Sequence, residues 1–143
     1  MIRLMEIQEI DDVMKIWLDT NIEVHHEVPA SYWEGNVADV KAAMENSNIY
    51  VALKDDTIVG FAGVSEGYYL AGIFVAETHR SDGVGKALLD YLKKTYEEIT
   101  LDVYAFNEGA VRFYTKESFV IVGEGMDEAH GLKELTMVWP ENI

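Results

Sequence analysis

The sequence predicts a mixed α/β fold, a twisted and mostly antiparallel sheet of about seven strands with helices on both faces. Three observations carry this reading. Short runs rich in β-branched and aromatic residues recur along the chain, helical stripes interrupt them without a regular βαβ alternation, and the order comes out as β-α-α-β-β-β-α-β-α-β-β. With 143 residues, one domain spanning 1–143 can bury roughly 68–70% of its unfolded surface in a single core.

Ile2 and Leu4, with Met5, alternate as a first strand, and Ile10, Val13, Met14 and Trp17 then recur at i, i+3, i+4, i+7, one stripe of a helix. Residues 21–29 read as a loop carrying His25, His26 and Glu27. Ser31 with Glu34 fits a capping box, and Val37, Val40 and Met44 continue the helical face behind it. Residues 49–53 and 58–65 are strands joined by the hairpin signal Lys54-Asp55-Asp56-Thr57, and Glu66-Gly67 turns the chain into a third run at 68–75.

A helix through Tyr96 follows, with Val84, Leu88, Tyr91 and Leu92 on its apolar side. Residues 99–105 set Leu101, Val103 and Ala105 against Thr100, Asp102 and Tyr104 as a fifth strand. Asn107 is placed to cap a short helix over 108–117. Residues 119–122 and 135–139 close the sheet around a glycine-rich turn, and Pro140 ends the last strand.

Composition narrows the chemistry. Cysteine is absent, which removes thiol nucleophiles, disulfides and thiolate metal sites, and the four histidines show no ligand spacing, so no metal site is expected. No apolar run approaches a membrane span and no leader pattern opens the chain, so a soluble, cytoplasmic protein without a membrane partner is expected. The net charge of −15 disfavours nucleic acid and favours a cationic partner. Between Arg80 and Lys116 six basic and six acidic residues balance, so the whole excess lies outside that stretch.

That neutral stretch opens with Arg80-Ser81-Asp82-Gly83-Val84-Gly85-Lys86, between a strand and a helix. First-turn N–H groups lack intrahelical acceptors and make an anion site, and a phosphate is the expected guest. It is not a P-loop, since Arg80 stands where the first glycine is needed and Ala87 where the Ser or Thr would be. Nor is it a dinucleotide fingerprint, which requires a third glycine in register.

Two blocks then resemble the GNAT superfamily of acetyl-CoA-dependent N-acetyltransferases. Arg80-x-x-Gly83-x-Gly85, preceded by Ile73-Phe74-Val75, is similar to the family's pyrophosphate loop, and Asn107-x-x-Ala110-x-x-Phe113-Tyr114-x-x-x-x-Phe119 to its second conserved segment. The resemblance implies acetyl-CoA as co-substrate, held by Ile73, Phe74, Val75, Arg80, Ser81, Asp82, Gly83, Val84, Gly85, Lys86, Asn107 and Phe113, with the pantetheine arm along the strand edge. It implies an oxyanion-binding N–H near Phe74 and a small-molecule or protein amine as acceptor, with a homodimer left open. Tyr114 resembles the general acid for the thiolate, or packs beside Phe113, and Asn107 positions the acetyl end, caps its helix, or does both.

Two positions depart from the pattern: Asp82 brings negative charge to the loop, and Ser118 stands where a turn glycine is usual. The strand 68–75 offers no carboxylate or imidazole as a base, leaving His25, His26, Glu66 or water. The rival reading on the same fold is a non-catalytic acetyl-CoA sensor.

Overall fold

The computed structural model describes residues 1–25, 27–80 and 82–140. Its seven strands are β1 (Ile2–Leu4), β2 (Asn48–Lys54), β3 (Thr57–Ser65), β4 (Tyr69–Val75), β5 (Ile99–Tyr104), β6 (Val120–Asp127) and β7 (Leu132–Trp139). They form one sheet in the order β1-β2-β3-β4-β5-β7-β6, antiparallel except where β4 meets β5. The helices are α1 (Ile10–Val24), α2 (Ala30–Gly35), α3 (Val37–Glu45), α4 (Val84–Thr95) and α5 (Glu108–Lys116).

Both faces are covered, as the alternation of the strands requires. On one face Leu88, Leu89 and Leu92 of α4 and Tyr114 of α5 bury against Ala62, Leu70, Leu101, Phe119 and Met137. On the other, Val13 and Trp17 of α1, Trp33 of α2 and Met44 of α3 bury against Ile49, Val51 and Phe61. A β-bulge sets the phase of β4: Gly63 pairs with Gly72 and Val64 with Leu70, so Ala71 is an extra residue. Leu70 and Ile73 therefore join the α4 face although they stand three positions apart, while Phe74 turns to the α1 face and stacks on Phe61 at 5.0 Å.

The helical region differs from the sequence expectation in three ways. The expected loop from Asn21 is the last turn of α1, where buried Asn21 donates its amide N–H to Trp17 O at 2.9 Å, so its polar group is satisfied inside the helix. The Ser31–Glu34 capping box does not form, because the cap is Pro29 and Ser31 lies within α2. The second helix breaks at Asn36, which follows the poor helix former Gly35 and donates its side-chain N–H to Tyr32 O at 2.6 Å.

At the C-terminal end, β6 runs through Gly123 and Gly125 to Asp127, past the expected turn. The turn instead uses Gly131 at φ 66. Ser118 adopts φ 77, taking up the left-handed conformation that a glycine would adopt without strain.

Gly60 lies opposite Val75, and a Cβ there would sit 2.9 Å from the Phe74 carbonyl oxygen and 3.0 Å from Val84. Since the first obstacle is backbone, Gly60→Ala is expected to lower stability by about 1–3 kcal/mol. Urea unfolding measures it, and an unchanged midpoint would contradict the packing of β3 on β4.

Candidate active site

β4 and β5 run parallel and share one rung, Tyr69 with Thr100, where Thr100 N–H donates to Tyr68 O at 2.9 Å. After that rung they part, and β5 spends its other edge on β7 from Ile99 to Tyr104. The β4 edge facing the gap can be read from the ladder on its other side. Ala76 N–H donates to Val59 O, so alternation turns Phe74 toward β3 and turns the N–H and C=O of Ile73 and Val75 toward the gap. An N–H that faces the gap here therefore belongs to Ile73 or Val75 and not to Phe74. The gap holds a cleft of about 310 Å³ lined by Trp17, His25, Trp33, Tyr104, Asn107 and Glu134 among others. A second cavity of about 240 Å³, reaching Arg80, Gly85 and Phe113, shares Ile73, Ala110 and Tyr114 with it.

The second cavity ends at the start of α4. Gly83 caps the helix at φ 80 with no side-chain cap, and Ala87 N–H to Gly83 O at 3.0 Å is the first intrahelical bond. The N–H groups of Val84, Gly85 and Lys86 thus precede the helical ladder and carry the positive end of its dipole. A Cβ on Gly85 would meet the Phe113 ring at 3.6 Å, an ordinary van der Waals contact, so the ring lies beside the first turn of α4.

The loop's charges are already paired. Arg80 donates to Val75 O at 3.2 Å and to Glu23 at 2.6 Å, Lys86 meets Glu117 at 3.0 Å, and Asp82 faces Lys54 at 3.7 Å. Asp82 neither caps α4 nor lies on the cavity side. Ser81 lies outside the described residues.

At the other end the lining is aromatic and acidic. His25, carried into the cleft by the extra turn of α1, packs its ring edge-on to Tyr104 at 5.2 Å and Phe106 at 5.9 Å. Tyr69 OH donates to Asp102 at 2.8 Å and Thr136 OH to its other oxygen at 2.6 Å. Tyr104 OH donates to Asp127 at 2.6 Å, whose same oxygen lies 3.2 Å from His130 Nδ1.

Burial first, then these carboxylates, hold both the Tyr69 and Tyr104 phenols above the ordinary range. The Tyr104 hydroxyl in turn is the main reason that Asp127 is held below its usual value. Burial, with Asp102 and Asp127 nearby, pushes the Glu134 carboxyl up.

Asn107 Oδ1 accepts from Ala110 N–H at 3.2 Å, so the residue caps α5 and lines the cleft at once. Tyr114 is buried at the junction of the two cavities, its phenol pushed up by burial alone. Glu66 sits in an exposed turn at the closed end of the gap, at φ 55, and is not brought into the cleft. His26 lies outside the described residues. Sequence reading did not single out Asp102 or Glu134. The available signal was the period-two alternation, which puts Asp102 and Tyr104 of β5 on one face with Thr136 and Glu134 of β7. Among the described residues no group of three or more His, Asp or Glu is arranged to hold a metal ion, and no helix is long and apolar enough to cross a membrane.

The family model described as Acetyltransferase (GNAT) family matches residues 10–119. The chain belongs to that family. It is therefore an acyltransferase of the N-acetyltransferase type built on the GNAT fold. Among its relatives is the peptidyl-lysine N-acetyltransferase YiaC of Escherichia coli K12, 31% identical over 98% of this chain and 97% of that one. The apo form of YjaB from Escherichia coli superposes with a TM-score of 0.84 at 25% identity, covering 99% of this chain and 98% of that one. The PaiA N-acetyltransferase of Thermoplasma acidophilum, solved in complex with coenzyme A, shares the fold at a TM-score of 0.73 and 17% identity, over 95% and 96% of the two chains.

The Tyr104–Asp127 contact ties β5 to β6 through an ionised carboxylate. Because Asp127 titrates below its unfolded value of about 3.9, its contribution is complete above about pH 4 and is lost as pH falls through the folded value. Asp127→Asn is expected to cost about 1 kcal/mol at pH 7 and progressively less below pH 4. Urea titrations at pH 7 and pH 3 test this, and an equal cost at both would contradict the assigned charge state.

Proposed function

We propose that this enzyme transfers the acetyl group of acetyl-CoA to the side-chain amine of lysine in a peptide or protein, by direct attack of the amine on the thioester. The observation that carries the reading is the unpaired β4 edge, which runs between a helix N-terminus suited to phosphate and a pocket lined with carboxylates. The named relatives support both substrates, one as a peptidyl-lysine N-acetyltransferase and one as a complex with coenzyme A.

In this reading the N–H groups of Val84, Gly85 and Lys86 receive the pyrophosphate, and Arg80 exchanges Glu23 for a phosphate oxygen. Ile73 and Val75 offer backbone donors and acceptors to the amides of the pantetheine arm, as an adjacent strand would. Asn107 keeps its side-chain N–H₂ for the same arm while its oxygen caps α5. The thioester brings the activated acyl group and a thiolate leaving group. A cleft-facing N–H of Ile73 or Val75 stabilises the oxyanion as the amine adds.

Tyr114 protonates the departing sulfur. Burial raises its phenol, but the same dry surroundings destabilise a thiolate, so the proton still has reason to move when the C–S bond breaks. A protein with net charge −15 draws a cationic acceptor toward the cleft, and screening weakens that attraction.

Tyr114→Phe removes the hydroxyl and keeps the ring against Phe113 and Phe119. With a lysine peptide and thiol detection, kcat is expected to fall at least about 10²-fold while acetyl-CoA affinity stays within about threefold. Normal turnover with chemistry limiting would leave Tyr114 a packing residue only.

A further inference from the structure

Two carboxylates, Asp102 and Glu134, line the acceptor end of the cleft with Asp127 close behind Glu134, and their hydrogen bonding separates the three. Asp102 has both oxygens engaged, one by Tyr69 OH and one by Thr136 OH. Asp127 accepts Tyr104 OH on one oxygen and Ala129 N–H on the other. The Tyr104 hydroxyl above all holds Asp127 below its usual value, and Asp102 has a donor on each oxygen.

Glu134 differs. It lies opposite Tyr104 on β7 and lines the same cleft as Asn107 and Tyr114, and among the described residues no hydrogen-bond or ion-pair partner reaches its carboxylate. We propose that Glu134 is the base that removes a proton from the acceptor's ammonium group.

The inference rests on the amine-acetylation reading above and names the group that makes the amine reactive. The charges facing Glu134 come from every neighbouring element: Asp102 and Tyr104 on β5, Tyr69 on β4, Asp127 on β6 with His130 behind it, and His25 at the end of α1. An approaching ammonium is attracted by the charge of all three, and Glu134 alone among them has no hydrogen-bond donor on its carboxylate among the described residues. Proton transfer to Glu134 then removes one of three mutually repelling negative charges, and partial burial favours the neutral acid. A carboxyl raised toward the working pH is a more effective base than an ordinary one.

The ammonium gives one proton to Glu134, and the freed lone pair forms the C–N bond. The C–S bond breaks, Tyr114 gives its proton to sulfur, and the phenolate recovers the second proton shed by nitrogen. Glu134 returns its proton to water, so each cycle yields amide, thiol and one proton.

The test is the pH dependence of kcat/KM for a lysine peptide in wild type and in Glu134→Gln, with acetyl-CoA affinity and circular dichroism as checks on the fold. The variant is expected to lose about 10²–10³-fold in kcat near neutral pH with unchanged acetyl-CoA affinity. Its acidic limb should vanish, leaving a rate that climbs toward the amine's own pKa near ~10.4. Glu134→Asp should recover part of the loss and restore a limb. If Glu134→Gln keeps the wild-type limb, the base is elsewhere, with His25 next in line, and the inference is overturned. Wild type that turns over no lysine peptide would instead sink the acceptor reading, and this inference with it.

Discussion

The parting of β4 from β5 is the constraint on which the rest of the molecule depends. Two parallel strands that shared every rung would satisfy one another and leave nothing for a ligand. Here they share only Tyr69 with Thr100, so the backbone groups of Ile73 and Val75 face open space in an otherwise complete sheet. Each neighbouring element fits that opening. β7 holds β5 away by pairing along its whole length, and the bulge at Ala71 rephases β4 so that Ile73 meets the α4 face and Phe74 the α1 face. α4 begins beside the open end, and α1 and α2 bring His25 and Trp33 over the gap.

Charge is distributed along the same axis. The N-terminus of α4 provides unpaired N–H groups, and the basic residues beside it are parked on acids: Arg80 on Glu23 and Lys86 on Glu117. The Arg80–Glu23 pair is exposed enough to exchange at little cost, which is what the proposed phosphate contact of Arg80 requires. At the opposite end Asp102 and Glu134 face the cleft from strands, and Tyr69 and Thr136 fix Asp102 in place. The proposed anion site and the proposed cation site are thereby separated by the length of one exposed strand edge.

Much of this was legible in sequence because it rests on local rules. Gly83, Gly85 and the apolar stripe behind them predict α4, and Asn107 is both a cap signal and part of a motif that the fold places on the cleft. What was not legible depends on tertiary context. Asn21 reads as loop because asparagine disfavours helix interiors, yet its amide bonds Trp17 O and carries the helix on to His25. Glu134 is an ordinary strand residue in sequence, and only the neighbouring register of β5 and β7 sets it among Asp102, Tyr104 and Asp127. Glu66 drew attention by adjacency to β4, but its turn lies at the end where the strands still touch. Gly123 and Gly125 suggested a turn and instead lie within β6, where a register irregularity follows Ile121.

The central claim is that the exposed edge of β4 receives the donor substrate as a strand. Residue-resolved amide hydrogen exchange, with and without saturating acetyl-CoA, tests it most directly. The account predicts new protection at Ile73 and Val75, whose N–H groups face the gap, with little change at Phe74, whose N–H is already in the β3 ladder. Saturation by acetyl-CoA that leaves the exchange of Ile73 and Val75 unaltered would contradict it.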